Sequence, residues 1–98
     1  MTNCKDLNEI RENIDRIDNQ IVQLIAERSC YVKQAAGFKK NIVEVNAPQR
    51  VEIVLNKVRK LAEENDVSPD IVENIYRTMI NSFIRLELEE HDHLSPNA

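Results

Sequence analysis

The stretch LIAERSCYVKQAAGFKK, residues 24–40, closes a long run of helical periodicity and contains one residue that does not fit it. Apolar side chains recur in steps of about three and four along this run: Ile10, Ile14, Ile17, Ile21, Leu24, Tyr31, Ala35 and Phe38. Such spacing is typical of one face of an α-helix. Arg28 stands on the same line, between Leu24 and Tyr31. A guanidinium group, which stays charged in proteins, therefore lies within an apolar seam.

The 98 residues suffice for one domain, residues 1–98. The pattern predicts an all-α fold, and its first helix begins where Asp6 and Glu9 resemble a capping box. Pro48 and Pro69 stand where the first residue of a helix belongs. The predicted segments are helices at about 6–40, 48–65 and 69–90, a loop at 41–47 and a frayed tail at 91–98.

The predicted lengths leave part of the first helix without a partner in its own chain. That helix would be about 50 Å long, whereas helices of roughly 18 to 22 residues reach only about 27 to 33 Å. An intertwined homodimer of six helices, with the long helices packed against each other, is the simplest closed arrangement. An ordinary coiled-coil dimerisation module is the alternative, and periodicity alone favours it.

Composition argues against several kinds of partner. A net charge of -4 and an aromatic content of 4% do not suit a nucleic acid or an anionic membrane, and no apolar run approaches membrane length. Cys4 and Cys30 lack metal-ligand or redox spacing, and reduced thiols in a cytoplasmic protein are expected. The acidic residues and histidines at 90–93 are adjacent, without helical spacing, so neither a metal nor another cofactor is predicted.

Basic residues on or beside the apolar stripes predict a site for an anion. Arg28 and Lys39 are eleven residues apart, so a continuous helix places them on one face, about 16 Å apart along its axis. Arg11 lies seventeen residues before Arg28, about 25 Å away, and can reach the same ligand only from a second, antiparallel chain. Arg50 is a fourth candidate cation, and Glu87 continues the apolar stripe of the third helix.

Each of these charges also has an ordinary structural explanation. Long basic side chains often cover apolar surface while their charged ends stay in water, and a single arginine on a seam commonly sets helix register. Glu87 is then a salt-bridge partner of Lys39 or Arg28. Together, however, several inward cations facing one carboxylate predict an anionic ligand, because burying them unpaired costs on the order of several kcal/mol each.

Three segments resemble a known family. IRENIDRIDNQIVQLIAERSCYVKQAAGFKK, residues 10–40, resembles the first helix of the all-helical chorismate mutase family. APQRV and LAEEN, residues 47–51 and 61–65, resemble the isochorismate pyruvate lyase branch, whose enzymes form salicylate in siderophore pathways. The likeness covers nearly the whole chain. It implies an intertwined homodimer with two sites that need no cofactor, each borrowing one arginine from the other chain.

The resemblance also implies a role for each candidate residue. Arg28 and Arg11 of the other chain bind the two carboxylates of the substrate. Arg50 helps to bind the ring end, and Lys39 donates to the ether oxygen whose bond breaks. Both branches catalyse pericyclic reactions, so catalysis depends on preorganised positive charge and on a bound reactive conformer.

Two departures from the mutase pattern affect the expected activity. The mutases carry Asp-x-x-Arg-Glu at the start of the second helix, where this chain has Ala47 and Val51 in place of the two acidic residues. Loss of the carboxylate that would bind the ring hydroxyl of chorismate favours isochorismate, converted to salicylate and pyruvate. The alternatives are a chorismate mutase giving prephenate, and a non-catalytic helical dimer or ligand-sensing module.

The second departure is Glu87, which stands where glutamine is common in the family. A glutamate can donate a hydrogen bond to the ether oxygen only when it is protonated. The hypothesis is that protonated Glu87 is the working form, so the rate should rise as the pH falls.

Overall fold

A computed structural model of the protein describes residues 3–39, 41 and 47–94, with side chains as far as Glu89. The described residues form three helices: α1 (Leu7–Ala36), α2 (Pro48–Glu64) and α3 (Pro69–Leu94). The predicted all-α class is confirmed. Most of the predicted loop, residues 42–46, and the end of the predicted tail, residues 95–98, lie outside the described residues.

The start of α1 is capped much as the sequence predicts. The Asp6 carboxylate accepts the backbone N–H of Glu9 at 2.8 Å, and the Glu9 carboxylate accepts the backbone N–H of Lys5 at 3.4 Å. The first bond satisfies a donor that the first turn of a helix cannot pair internally, and the second joins the residue before the cap to the helix. Residues Met1–Gln34 form the first of two compact units of the chain, and Ala35–Ala98 form the second.

The end of α1 differs from the prediction. The helix ends at Ala36 rather than near residue 40. Gly37 follows at once, and glycine is about 1 kcal/mol less favourable than alanine inside a helix. The chain then tightens, with Phe38 N–H donating to the Ala35 carbonyl at 3.0 Å and Lys39 N–H donating to the Ala36 carbonyl at 3.2 Å. The prediction that Lys39 shares a face of one continuous helix with Arg28 is therefore wrong.

α1 has an exposed apolar face. None of its residues is buried. The exposed apolar side chains include Leu7, Ile10, Ile14, Ile17, Ile21, Val22, Leu24 and Tyr31. Exposing so many large apolar side chains on one helix is unfavourable in water, and contiguous apolar surface of this kind commonly marks an interface.

The core of the second unit lies between α2 and α3. On α2 the buried side chains are Leu55, Val58 and Ala62, at helical spacing, and Leu55 is only 1% exposed. Ile80 and Glu87, two turns apart on α3, are also buried. Full burial of one leucine side chain contributes about 1.5 to 3 kcal/mol. This small core holds the two helices together as a hairpin.

A tight turn between α2 and α3 makes the hairpin antiparallel. Val67 N–H donates to the Ala62 carbonyl at 2.9 Å and Asp66 N–H donates to the Glu63 carbonyl at 3.3 Å, which is the bonding pattern of a Schellman motif. Asp66 has the left-handed conformation this motif requires, with φ of 57°. The Ser68 hydroxyl then accepts an N–H of the first turn of α3 at 3.4 Å.

The third helix is longer than predicted. It begins at Pro69, as expected, but continues to Leu94, so the prediction of a frayed tail is wrong for residues 91–94. Residues 85–94 contain neither glycine nor proline to interrupt the helix. No helix among the described residues is both long enough and apolar enough to cross a lipid bilayer.

A cluster of charged side chains links the two helices near the turn. Arg59 of α2 donates to Asp70 at 2.9 Å and to Glu73 at 3.2 Å on α3, and Arg77 donates to Glu73 at 3.1 Å. The hydrogen bond from Arg77, helped by Arg59, lowers the pKa of Glu73 below its ordinary value of 4.5, although partial desolvation opposes this. The cluster thus joins residues of α2 and α3 that lie near the turn.

We expect Glu73 to contribute to the acid sensitivity of the fold. Because its pKa is lower in the folded state, its contribution is complete at neutral pH and is lost as the pH falls through 4.5 and below. Glu73→Gln should therefore lose less stability than the wild type between neutral and acidic pH, measured as the shift of the urea midpoint. Glu52→Gln, which removes an exposed carboxylate of α2, is the control. Equal shifts in all three proteins would contradict this role.

Candidate active site

A salt bridge joins Lys39 and Glu87, two of the predicted site residues. Lys39 Nζ lies 3.0 Å from Glu87 Oε2. The side chain of Glu87 is 6% exposed and that of Lys39 is 24% exposed. The side chain of Glu87 is therefore enclosed, whereas that of Lys39 is partly exposed. Their separation of 48 positions in the sequence makes this a tertiary contact.

The position of Glu87 follows from the helical period of α3. It lies seven residues, or two turns, after the buried Ile80 and three residues after the half-buried Ile84. The carboxylate thus occupies a place on the apolar face of the helix. A charge in such a position is costly unless it is paired, and Lys39 supplies the opposite charge.

Lys39 reaches Glu87 from the turn that follows α1. Because the helix ends at Ala36, the backbone of Lys39 is free of helical geometry and belongs to the same compact unit as Glu87. An ammonium group carries three donors, so one can bond Glu87 while others remain for a ligand oxygen. The pair can therefore present fixed positive charge in a partly buried place, which is the requirement for stabilising a developing negative charge.

Arg50 lies in the first turn of α2, two residues after Pro48. Its side chain is exposed and makes no hydrogen bond or salt bridge with any residue that the structure describes. Ala47, just before the helix, has the left-handed conformation with φ of 38° and provides no side-chain cap. Arg50 thus forms no hydrogen bond or salt bridge with Lys39 or Glu87.

Arg11 and Arg28 both lie within α1, which is continuous between them. The seventeen residues that separate them correspond to about 25 Å of helix axis, as predicted. Arg11 is exposed and Arg28 is half-buried. Two guanidinium groups this far apart on one rigid helix cannot both contact one small dicarboxylate.

The residue after Arg50 is Val51, which is half-buried. The first turn of α2 therefore has an apolar side chain at the position where the mutase pattern has glutamate. The turn contains no acidic residue.

A separate apolar depression lies at the turn end of the hairpin. Its volume is about 200 Å³. It is lined by Val58, Leu61, Ala62, Asn65, Val67, Val72 and Tyr76. None of these residues is charged, so the depression does not suit a dicarboxylate, and it belongs to the opposite end of α3 from Glu87.

The sequence pattern did not reveal the role of Arg59. Its segment, KVRKLAEEN, resembles an ordinary solvated helix face. The signal was present in the opposite charges on either side of the turn, since Arg59 and the acidic pair Asp70 and Glu73 lie at comparable distances from it. This cluster stabilises the hairpin and is distinct from the Lys39 and Glu87 pair.

Three helices with a lysine paired to a buried carboxylate define a class of small all-α proteins suited to binding an organic anion. The sequence profile of the chorismate mutase type II family matches residues 10–88. The chain belongs to this family.

Known relatives agree with this assignment. An isochorismate pyruvate lyase of Pseudomonas aeruginosa is 38% identical over 86 residues, covering 88% of this chain and 85% of that protein. A chorismate mutase of Methanocaldococcus jannaschii is 39% identical over 75 residues, covering 76% of each. A bifunctional chorismate mutase/prephenate dehydratase of Aquifex aeolicus is 32% identical over 87 residues, covering 85% of this chain and 24% of that protein.

We expect the buried carboxylate to make Lys39 important for stability. Lys39→Met leaves Glu87 enclosed without its counter-charge and should lower the free energy of unfolding by about 1 to 3 kcal/mol. Adding Glu87→Gln to that variant should recover part of the loss, because the unpaired charge is then removed. Urea unfolding of the two single variants and the double variant measures this coupling.

Lys57→Met, which removes an exposed lysine of α2, is the control and should change the stability by less than about 0.5 kcal/mol. A double variant whose loss equals the sum of the two single losses would show that the pair does not contribute to folding.

Proposed function

We propose that the protein is an isochorismate pyruvate lyase, which converts isochorismate to salicylate and pyruvate. The observation that carries this choice is Val51, a half-buried apolar residue beside Arg50 where the mutase pattern has glutamate. Without that glutamate the first turn of α2 offers no carboxylate to accept a hydrogen bond from the ring hydroxyl of chorismate. The 38% identity to a protein named isochorismate pyruvate lyase supports the same choice.

The proposed reaction needs an electrostatic contribution from Lys39. The bond between the ring carbon and the ether oxygen breaks while a ring hydrogen moves to the methylene carbon of the enolpyruvyl group. Negative charge develops on the ether oxygen, which becomes the keto oxygen of pyruvate. The ammonium group of Lys39, whose side chain is partly exposed, can donate to this oxygen, and Glu87 can supply a second donor when protonated.

The proposed active form is a homodimer. The exposed apolar face of α1 needs a partner, and a second α1 in antiparallel orientation has matching apolar residues. Arg11 and Arg28 of the same chain are too far apart to contact one small ligand. In such a pairing, Arg11 of one chain can approach Arg28 of the other. The two guanidinium groups then bind the two carboxylates of one substrate, and Arg50 helps to bind the ring end.

A chorismate mutase is the second candidate. The 39% identity to a protein named chorismate mutase supports it, and the same donors at the ether oxygen would serve that rearrangement. A non-catalytic dimer or ligand-sensing module is the third candidate. A place in siderophore synthesis and a cytoplasmic location stay predictions from the sequence.

A direct assay separates the three candidates. Purified protein is mixed with isochorismate while salicylate fluorescence is followed, and loss of chorismate is measured in parallel. We expect salicylate from isochorismate, with slower or no loss of chorismate. Faster conversion of chorismate to prephenate would favour the mutase, and binding of both compounds without turnover would favour the sensor.

Lys39 and Glu87 should affect the rate in different ways. Lys39→Met removes the main donor to the ether oxygen, so kcat should fall by about 100-fold to 1,000-fold at every pH. Glu87→Gln keeps a donor that needs no protonation, so the rise of the rate toward acidic pH should become flat. The measurement is kcat for isochorismate as a function of pH. A profile that Glu87→Gln leaves unchanged would remove Glu87 from the mechanism.

The dimer can be tested by mixing inactive chains. Arg11→Ala and Arg28→Ala chains should each have little activity alone. After unfolding and refolding together they should regain about a quarter of the wild-type activity, since half of the dimers are mixed and each has one intact site. The measurement is the rate per chain together with the mass of the complex.

The control mixes Arg28→Ala with Lys39→Ala chains. Both residues are proposed to serve the site of their own chain, so each site of a mixed dimer keeps one defect and no activity returns. Recovery in this control, or none in the Arg11 and Arg28 mixture despite confirmed mixed dimers, would contradict the proposed exchange of arginines.

A further inference from the structure

The face of α3 that carries Glu87 also carries an aromatic residue, Phe83, which the proposed reaction does not use. Phe83 lies four residues before Glu87, about one turn nearer the start of the helix. Residues at this spacing are neighbours on a helix surface, and helical side chains lean toward the N-terminal end, so the Glu87 side chain leans toward the Phe83 ring. Phe83 is half-buried, whereas Ile80 is buried. Part of the ring therefore stays uncovered beside the ion pair.

The helical period places Phe83 on the same flank of α3 as the apolar depression. Phe83 lies seven residues, or two turns, after Tyr76, which lines that depression. Ile84 lies at the same spacing after Arg77, on the flank that carries the charged cluster. The uncovered part of the Phe83 ring thus belongs to an apolar flank, away from the ion pairs of the cluster.

The other aromatic residues of the chain are less suited to contact a ligand at this place. Tyr31 and Phe38 are 64% and 85% exposed, so little in the described structure holds their rings in position. Tyr76 is eleven residues, or about three turns, before Glu87. Phe83 is therefore the aromatic residue that packing holds in place beside Glu87 among the described parts of the chain.

The carbon ring of the proposed substrate needs an apolar contact in addition to the charged ones. Its carboxylates and ether oxygen are assigned to cations, which leaves the faces of the ring without a partner. A phenyl group has no hydrogen-bonding atom, and it attracts another aromatic ring in offset or edge-to-face geometry. The ring of isochorismate becomes aromatic as salicylate forms, so a contact with a phenyl group strengthens along the proposed reaction.

We propose that Phe83 binds the ring of the ligand and selects an aromatic ring over a saturated one. This inference rests on the proposed function, because it takes its ligand from the lyase reaction. Phe83→Leu keeps a large apolar side chain but removes the phenyl group. It should weaken the binding of salicylate more than that of hexahydrosalicylate, which has the same carboxylate and hydroxyl on a saturated ring.

Calorimetric titration of the whole chain with each of these two acids tests the inference. The readout is the ratio of the two dissociation constants, because a variant that is only less stable binds both acids less well to the same extent. We expect the preference for salicylate to fall by about twofold to tenfold in Phe83→Leu. Phe83→Tyr retains an aromatic ring and should keep the preference of the wild type.

Two further substitutions are matched controls. Ile84→Leu changes the half-buried neighbour of Phe83, and Phe38→Leu removes the exposed phenyl group next to Lys39. Both should keep the preference of the wild type. As a second readout, salicylate should compete with isochorismate during turnover. Its inhibition constant should rise in Phe83→Leu by the same factor as its dissociation constant.

The outcomes separate this inference from the proposed function. An unchanged preference in Phe83→Leu, with isochorismate still converted by the wild type, overturns the role of Phe83 and leaves the lyase standing. An equal loss of preference in Ile84→Leu or Phe38→Leu also overturns that role, because the ring contact is then not specific to Phe83. A preference that depends on Phe83 in a protein that converts only chorismate supports the role and overturns the lyase. A wild type that binds neither acid and converts neither isochorismate nor chorismate overturns both.

Discussion

The ion pair between Lys39 and Glu87 is the constraint on which the second unit of the chain depends. A carboxylate enclosed on the apolar face of α3 is unfavourable unless a cation reaches it, and Lys39 does so at 3.0 Å. Apolar residues of similar size would pack at least as well, so stability alone does not explain a charged pair in this place. The proposed role of the pair, which is to offer positive charge to a ligand, would explain it.

The length and surface of α1 impose the second constraint. Its thirty residues form a rod of about 45 Å, and not one of them is buried. The same rod holds Arg11 and Arg28 too far apart to share a small ligand. One helix thus accounts for two features of the proposed enzyme, a dimer and a site that takes residues from both chains.

The folded chain departs from the sequence pattern at the end of α1, around residue 37. Apolar periodicity ran through Gly37 to Phe38, and it predicted a helix to about residue 40. The helix ends at Ala36 because the backbone preference of glycine outweighs a weak continuation of the pattern. Lys39 was one of two salt-bridge partners predicted for Glu87, with Arg28 as the other, and its bond to Glu87 forms although the helix ends before it.

The charged cluster near the turn shows what a one-dimensional pattern leaves out. Arg59 lies in a run of charged residues that looks solvated, and its bonds to Asp70 and Glu73 appear only when the turn brings α2 beside α3. The left-handed conformation of Asp66 is likewise a feature of the folded turn. Asp is tolerated at many positions, and its presence alone does not predict this conformation.

The sequence by itself determined the all-α class, the starts of α2 and α3 at Pro48 and Pro69, and the set of candidate cations. These features are local, because helical period, proline geometry and residue charge act within a few positions of the chain. Only the tertiary structure decided that Lys39 and Glu87 meet and that Glu87 is enclosed. Burial and long-range pairing depend on how helices pack, and 48 residues of chain separate the two partners.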